Sequence, residues 1–398
     1  MPTSRRRSAA AVAALALAAG LVASTPATAA DHPSRGPGKA PVPAGRYVAM
    51  GDSFVSGPGI ERQLDPCGRS DRNFVRLVAA DLGFRAFTDA SCGAATTKNY
   101  SSPQTMGDYV NPPQLDALTR DTTLVTLGTM GGNDVGLVGL ATTCIVRGCS
   151  TLPPEPYQAA IDALVPVYRQ VIREVRRRAP RADIVAVGYG TYVPRETCAA
   201  LGNATAADLE YLQGMIDRLS DTIGKVAKEQ RIAFVDMRLV KGWREHTACA
   251  DPADQWVRGL NGYGDGIALH PSTAGMVQMA NQTLKTVRPI VTARRAAERR
   301  VASAAASVRV RAVCHGPRRN PRVTIRTTGG HGLIAAARFR VGRQWVGADQ
   351  RAPFAVTRSA RSLRTARAKG PVRATAMVRS GKVVRVAKAT TKRPWCLR

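Results

Sequence analysis

RYVAMGDSF, residues 46–54, decides the architecture: a short apolar run from Arg46 to Met50 ends on Gly51-Asp52-Ser53. The run reads as a buried first strand, and the Gly-Asp-Ser that follows reads as a strand-to-helix turn. Outward from it, Phe74 to Leu82 carries apolar residues at helical spacing. Leu124–Leu127, Ile184–Val187 and Ile232–Val235 repeat the short buried-strand pattern. Amphipathic stretches over 157–178 and 205–229 lie between them. A last helix is expected from Thr273 to about Val287, with Ser272 as its N-cap. Strands alternating with helices predict an α/β fold with a parallel sheet covered on both faces. In such sheets the functional site lies at the carboxyl ends of the strands.

Four short motifs fall there. Ser53, at the turn after the first strand, can expose its hydroxyl at the sheet edge while its own N–H points toward a bound carbonyl oxygen. Gly-Asp-Ser alone is equally a common turn. Ser91-Cys92-Gly93-Ala94 contains a glycine whose backbone can approach a ligand closely and donate to an oxyanion, or is a small-residue turn held by a disulfide. Gly131-Gly132-Asn133-Asp134 follows the strand around Val125, and the Asn133 amide can add a third donor; in isolation an Asx turn explains it as well. His270-Pro271-Ser272 opens the last helix. Of the five histidines, His32 lies near the leader, and His315 and His331 lie in the C-terminal region. His246 sits in a Trp/Arg/Glu-rich loop, which leaves His270 as the base for Ser53.

Taken together in this order and spacing, the four motifs resemble those of the SGNH (GDSL) hydrolases over roughly residues 45–290, and the cysteine pairs are similar to those of secreted actinobacterial lipases and esterases. The resemblance implies a three-layer α/β/α flavodoxin-like fold and a secreted serine esterase or lipase. Ser53 and His270 would be catalytic, Ser53, Gly93 and Asn133 would form the oxyanion hole, and no cofactor or metal would be needed. Many members carry Asp three residues before the histidine, where this chain has Ile267. A main-chain carbonyl, of Ile267 or Ala268, is therefore expected to orient His270, with Asp265 as the alternative. Phospholipase or carbohydrate-ester deacetylase activity on the same machinery remains open. The segments 95–113, 141–156 and 241–262, with Tyr100, Met106, Tyr109, Leu140, Ile145, Trp243 and Trp256, are expected to wall the pocket.

The remaining sequence sets the context. Arg5–Arg7, an apolar run from Ala9 to Ala23 and Ala27-Thr28-Ala29-Ala30 have the order of a secretory signal peptide, expected over 1–30, with a twin-arginine route open. A Pro/Gly-rich linker follows over 31–44, then a catalytic domain over 45–292. Eight cysteines without a Cys-x-x-Cys pair point to disulfides rather than zinc. Nearest-neighbour pairing gives Cys67–Cys92, Cys144–Cys149, Cys198–Cys249 and Cys314–Cys396, although sequence alone does not fix connectivity. The formal charge of +30 is concentrated at the end: from Arg294 onward there are 27 Lys and Arg against Glu298 and Asp349. Residues 293–307 read as a basic linker, with transient helix as an alternative for 294–306. Residues 308–398 read as an Arg-rich β-sandwich whose 338–354 stretch resembles a bacterial immunoglobulin-like hairpin. A competing reading makes the protein a surface adhesin that binds polyanions through this basic domain. The partners expected are an ester substrate and an anionic surface or polymer. No specific nucleic acid is expected, because no recognition motif is present, and the protein is expected to be a monomer.

Overall fold

The structure, a computed structural model, describes residues 45–398; the signal peptide expected over 1–30 and the linker over 31–44 lie outside them. β1 (Arg46–Met50) runs into α1 (Ser53–Ser56), then α2 (Phe74–Asp81), β2 (Ala86–Asp89) and a small hairpin of β3 (Gln104–Met106) and β4 (Tyr109–Asn111). β5 (Thr122–Leu127) is followed by α3 (Leu137–Arg147), α4 (Glu155–Arg178), β6 (Asp183–Val187), α5 (Ala206–Glu229), β7 (Ala233–Val235) and α6 (Thr273–Ser307). The five long-range strands form one parallel sheet in the order β2-β1-β5-β6-β7.

Period-two alternation along each strand makes this sheet the middle of three layers. Tyr47 and Ala49 of β1 face one side with Val185 and Val187 of β6, and pack against Phe74 and Val78 of α2 and Met276 and Met279 of α6. Val48 and Met50 face the other side with Val125 and Ile184, against Ile161 and Tyr168 of α4 and Leu212 and Leu219 of α5. Both faces are covered, which is why the strands read as apolar runs rather than as alternating ones.

After α6 the chain forms β8 (Arg309–His315), β9 (Arg322–Thr328), β10 (Ile334–Val341), β11 (Gln344–Asp349), β12 (Ala355–Ser359), β13 (Val372–Ser380) and β14 (Val383–Thr391). They build two antiparallel sheets, β11-β10-β13-β14 and β12-β9-β8. The sheets share a core in which Val323 and Ile325 of one meet Phe339, Val341 and Val372 of the other.

The expected basic linker over 293–307 is instead the last part of α6, which continues through Pro289 to Ser307. Ala and Arg dominate this stretch and are strong helix formers, and Val301, Ala304 and Val308 pack on Ala376, Val378 and Ala387 of β13 and β14, so propensity and burial both carry the helix on. Arg294 pairs with Asp183 at 3.0 Å, and Lys382 reaches the same carboxylate at 3.1 Å, so the β region is also pinned to the sheet by charge.

Candidate active site

β1 delivers Gly51-Asp52-Ser53 to the carboxyl edge of the sheet. The Asp52 side chain caps α1 by accepting from Phe54 N–H (3.0 Å), and its other contacts, Thr129 Oγ1 and the Tyr189 hydroxyl, are also donors. Asp52 is completely buried, and burial pushes its carboxyl up to about 6 despite those donors. The same Tyr189 hydroxyl accepts from Gly132 N–H at 3.0 Å. One buried oxygen thereby joins the Ser53 turn to the Gly131–Asn133 turn after β5.

His270 lies across from Ser53, with Nε2 2.8 Å from Ser53 Oγ and Nδ1 2.8 Å from the Ala268 carbonyl. A carbonyl only accepts, so Nδ1 carries the proton and Nε2 presents its lone pair to the serine hydroxyl. Burial holds the imidazole below its ordinary value, and the Ala268 carbonyl opposes this more weakly. The ring also packs on Phe54, centroids 4.8 Å apart.

Of the three candidates for orienting His270, Ala268 is the one in contact with its ring. The Ile267 carbonyl takes the His270 backbone N–H (3.2 Å). Asp265 is turned away: it pairs with Arg258 (2.8 Å) and accepts from the Thr273 N–H and hydroxyl at the start of α6.

The expected oxyanion donors divide. Ser53 N–H has no acceptor among the described residues. Asn133 gives one Nδ2 hydrogen to the Ala95 carbonyl (2.9 Å) and retains the other. Gly93 differs from expectation: its N–H is used internally, donating to the Cys67 carbonyl at 2.8 Å. The next residue, exposed Ala94, holds φ at 59° and has an N–H without an acceptor among the described residues. Cys92 N–H bonds Gly51 O (3.1 Å), and Asn133 bonds Ala95 O, so Ala94 sits in a segment strung between the other two arms of the site. The disulfides in the structure join Cys67 to Cys92, Cys144 to Cys149, Cys198 to Cys249 and Cys314 to Cys396.

Beside Ser53 and His270 opens a cavity walled by Phe54, by Leu137, Ala141 and Ile145 of α3, and by Leu209, Leu212 and Ile216 of α5. Of the side chains expected to wall it, Ile145 does. Tyr100 is buried in the core, and Trp243 and Trp256 line a separate small cavity with His246, whose ring stacks on Trp256 at 4.1 Å. The α3 wall falls partly within the expected 141–156 segment, whereas the α5 wall has no separate signal, because apolar residues at helical spacing read as core. Tyr189 carried no signal beyond following a strand.

Residues 49–277 match the model of the GDSL-like lipase/acylhydrolase family. The chain is 33% identical to Lipase 2 of Streptomyces coelicolor over 302 residues, covering 71% of this chain and 97% of that protein. It is 28% identical to Lipase 1 of the same organism, covering 59% and 84%. Among solved structures, phospholipase A1 from Streptomyces albidoflavus is similar at 26% identity, and an extracellular lipase from Streptomyces rimosus at 24%. Each has a TM-score of 0.49, with 61% of this chain and 99% of that one covered.

Proposed function

The chain belongs to the GDSL-like lipase/acylhydrolase family and is a carboxylic ester hydrolase; from that premise we propose that Ser53 is its nucleophile, His270 its base, and an ester with an apolar acyl chain its substrate. The observation that carries this reading is the 2.8 Å Ser53 Oγ–His270 Nε2 contact beside an apolar cavity. His270 takes the Ser53 proton as Oγ adds to the ester carbonyl, forming the tetrahedral oxyanion. The N–H groups of Ser53 and Ala94 and the free Asn133 amide hydrogen stabilise that oxyanion, each such donor worth about 3–4 kcal/mol. Ala94 replaces Gly93 in this role because the Gly93 N–H is already bonded. Collapse expels the alcohol, protonated by His270, and leaves an acyl-Ser53. Water, deprotonated by His270, then attacks the acyl carbon and releases the acid. The Ala268 carbonyl fixes the tautomer in place of a carboxylate.

An acyl chain fits walls of Leu, Ile and Phe, which offer an acetylated sugar few partners for its hydroxyls. In this reading residues 45–292 are the catalytic part and 308–398 an appended β region. The four disulfides are consistent with secretion; export by the leader over 1–30 would place the mature enzyme outside the cell. The test is hydrolysis of p-nitrophenyl esters of graded acyl length, alongside acetylated xylan, by wild type and Ser53→Ala. The expected result is preference for chains longer than acetyl and a loss of more than about a thousandfold in the variant. Turnover surviving in a pure Ser53→Ala preparation, or a preference for the acetylated sugar, overturns the reading.

A further inference from the structure

The outer face of the four-stranded sheet is a lattice of cations. Strand register sets Trp345, Arg340 and Arg373 side by side across β11, β10 and β13, and Arg338, Thr375 and Lys388 side by side across β10, β13 and β14. Phe339, Val341, Ala374 and Ala376 between them point inward, so alternation alone turns every one of these cations to solvent. Arg343 and Arg367, joined through a backbone bond of 2.7 Å, form the rim of the same shallow concavity. Residues 308–398 hold 23 Lys and Arg and a single acid, Asp349. That acid is occupied in its own turn, accepting from Arg351 and Ala355 N–H. Among the described residues this region makes one ion pair, Lys382–Asp183, and none on this face.

Arg340 directly opposite Arg373 is an unfavourable cross-strand pair, and no anion of this chain offsets it. The face also exposes apolar side chains. Trp345 is 50% exposed with the Arg340 guanidinium 6.0 Å from its ring, and Met377 and Val386 are paired with each other in the following row, both exposed. Guanidinium groups interleaved with an exposed Trp, Met and Val match the headgroup zone of an anionic bilayer, where cations meet phosphates and apolar groups reach the acyl boundary. A soluble polyanion would engage the cations and leave the apolar side chains unpartnered.

We propose that this sheet face docks the protein onto an anionic phospholipid surface. The inference concerns where the protein sits, independently of which bond it cleaves.

The full chain carrying Ser53→Ala, which leaves vesicles intact, is co-sedimented with phosphatidylcholine vesicles with and without about 30% phosphatidylglycerol, in about 0.1 M salt. Binding is expected to the charged vesicles only, and to weaken as salt rises. Each basic residue at a charged leaflet contributes about fivefold, so Arg340→Glu/Arg373→Glu is expected to lose at least about a hundredfold, and Arg340→Gln/Arg373→Gln a smaller share. Trp345→Ala is expected to weaken binding several-fold. The native chain bearing the Gln pair should hydrolyse a soluble short-chain ester at the parent rate, which shows that it is folded. Equal binding to uncharged vesicles, or parental binding by both the Glu and Gln variants, overturns the proposal. So does tight capture by soluble polyphosphate with no vesicle binding, which would give the face to a polymer.

Discussion

Replacing Tyr189 by phenylalanine removes one oxygen and keeps the ring, which packs edge-on to Phe54 at 5.7 Å. That oxygen makes two bonds: it donates to Asp52 Oδ2 and accepts from Gly132 N–H. Losing a bond to a charged acceptor costs about 1.5–3 kcal/mol, and leaving a buried N–H unpaired costs about 1–3 kcal/mol. Together this is about 3–6 kcal/mol, or a melting temperature lower by about 5 °C for a chain of this size. The site should suffer separately, because the Gly131–Asn133 turn loses its tie to the Ser53 turn. A misplacement of about 1 Å costs on the order of a hundredfold, and a whole oxyanion donor about 10²–10³. Turnover of a p-nitrophenyl ester at 25 °C, where the variant remains folded, is therefore expected to fall about 10- to 100-fold with KM little changed.

A pH series adds a readout of the same network. Asp52 is raised to about 6 in the fold, above its ordinary 3.8. A raised carboxyl favours the folded state once protonated, so this contribution is present below 3.8 and is lost as pH climbs through about 6. Tyr189 lowers the Asp52 value by donating to the carboxylate, so the variant's value should rise further. The melting deficit of Tyr189→Phe should consequently be larger near pH 8 than near pH 5. A variant that melts lower yet turns over within about twofold of wild type, with a deficit independent of pH, would refute the coupling of this network to catalysis.

The His270 imidazole sits below its ordinary 6.5, so kcat/KM is expected to rise through a midpoint below 6.5 and then stay flat toward neutral pH; a midpoint above 6.5 contradicts the carbonyl-held dyad. The same depressed value stabilises the fold above 6.5, and that contribution is lost as pH falls toward the folded value. Asp265→Asn should lower stability by about 1–3 kcal/mol, because the Arg258 side chain is only 6% exposed and loses its charge partner, while turnover changes less than about tenfold. A loss near 10⁴ with folding intact would make Asp265 a third triad member. Leu212→Trp narrows the cavity between α3 and α5, and should cut kcat/KM for long acyl chains about tenfold or more while sparing acetate esters; a uniform loss across chain lengths would place the acyl chain elsewhere.

What was legible in the sequence follows from what is local. β1, β5 and β6 are buried on both faces, so each appears as an apolar run with a fixed place in the order; β7 lies at an edge and is half-buried, but its residues are all apolar. β2 (AFTD) is half-buried at the sheet edge and carries no such run. α3 (LVGLATTCIVR) contains Gly, two Thr and Cys, none of them strong helix formers, and it owes its form to packing against α5. The extension of α6 past 292 is Ala- and Arg-rich, so its helix is favoured locally, but the packing partners that fix its end, Ala376, Val378 and Ala387, are distant in the sequence.

The candidate site is legible in the sequence where side-chain type marks it and obscure where backbone geometry does. Ser53, Asn133 and His270 are distinctive side chains that each follow a strand or precede a helix. Gly93 drew attention because glycine marks close backbone approach, yet its N–H is taken by the carbonyl of Cys67, a residue brought there by the Cys67–Cys92 bridge. The special conformation falls one residue later, on Ala94 at φ 59°, and again on Leu269 at φ 60°, between the carbonyl that holds the His270 ring and His270 itself. Neither is a glycine, so no rule about residue type finds them. An L-residue in this region costs about 1–2 kcal/mol, and it persists where its surroundings over-determine it. Leu269 N–H donates to Gly259 O at 3.0 Å while His270 N–H donates to Ile267 O. Ala94 is flanked by Gly93 bonded to Cys67, Ala95 bonded to Cys92, and an Ala95 carbonyl held by Asn133. The two residues with positive φ thus lie on the two segments tied to the Ser53 turn, Ala94 with an N–H that has no acceptor among the described residues and Leu269 next to His270. In the proposed mechanism their cost falls where an oxyanion donor and the base would be held in place before the ester arrives.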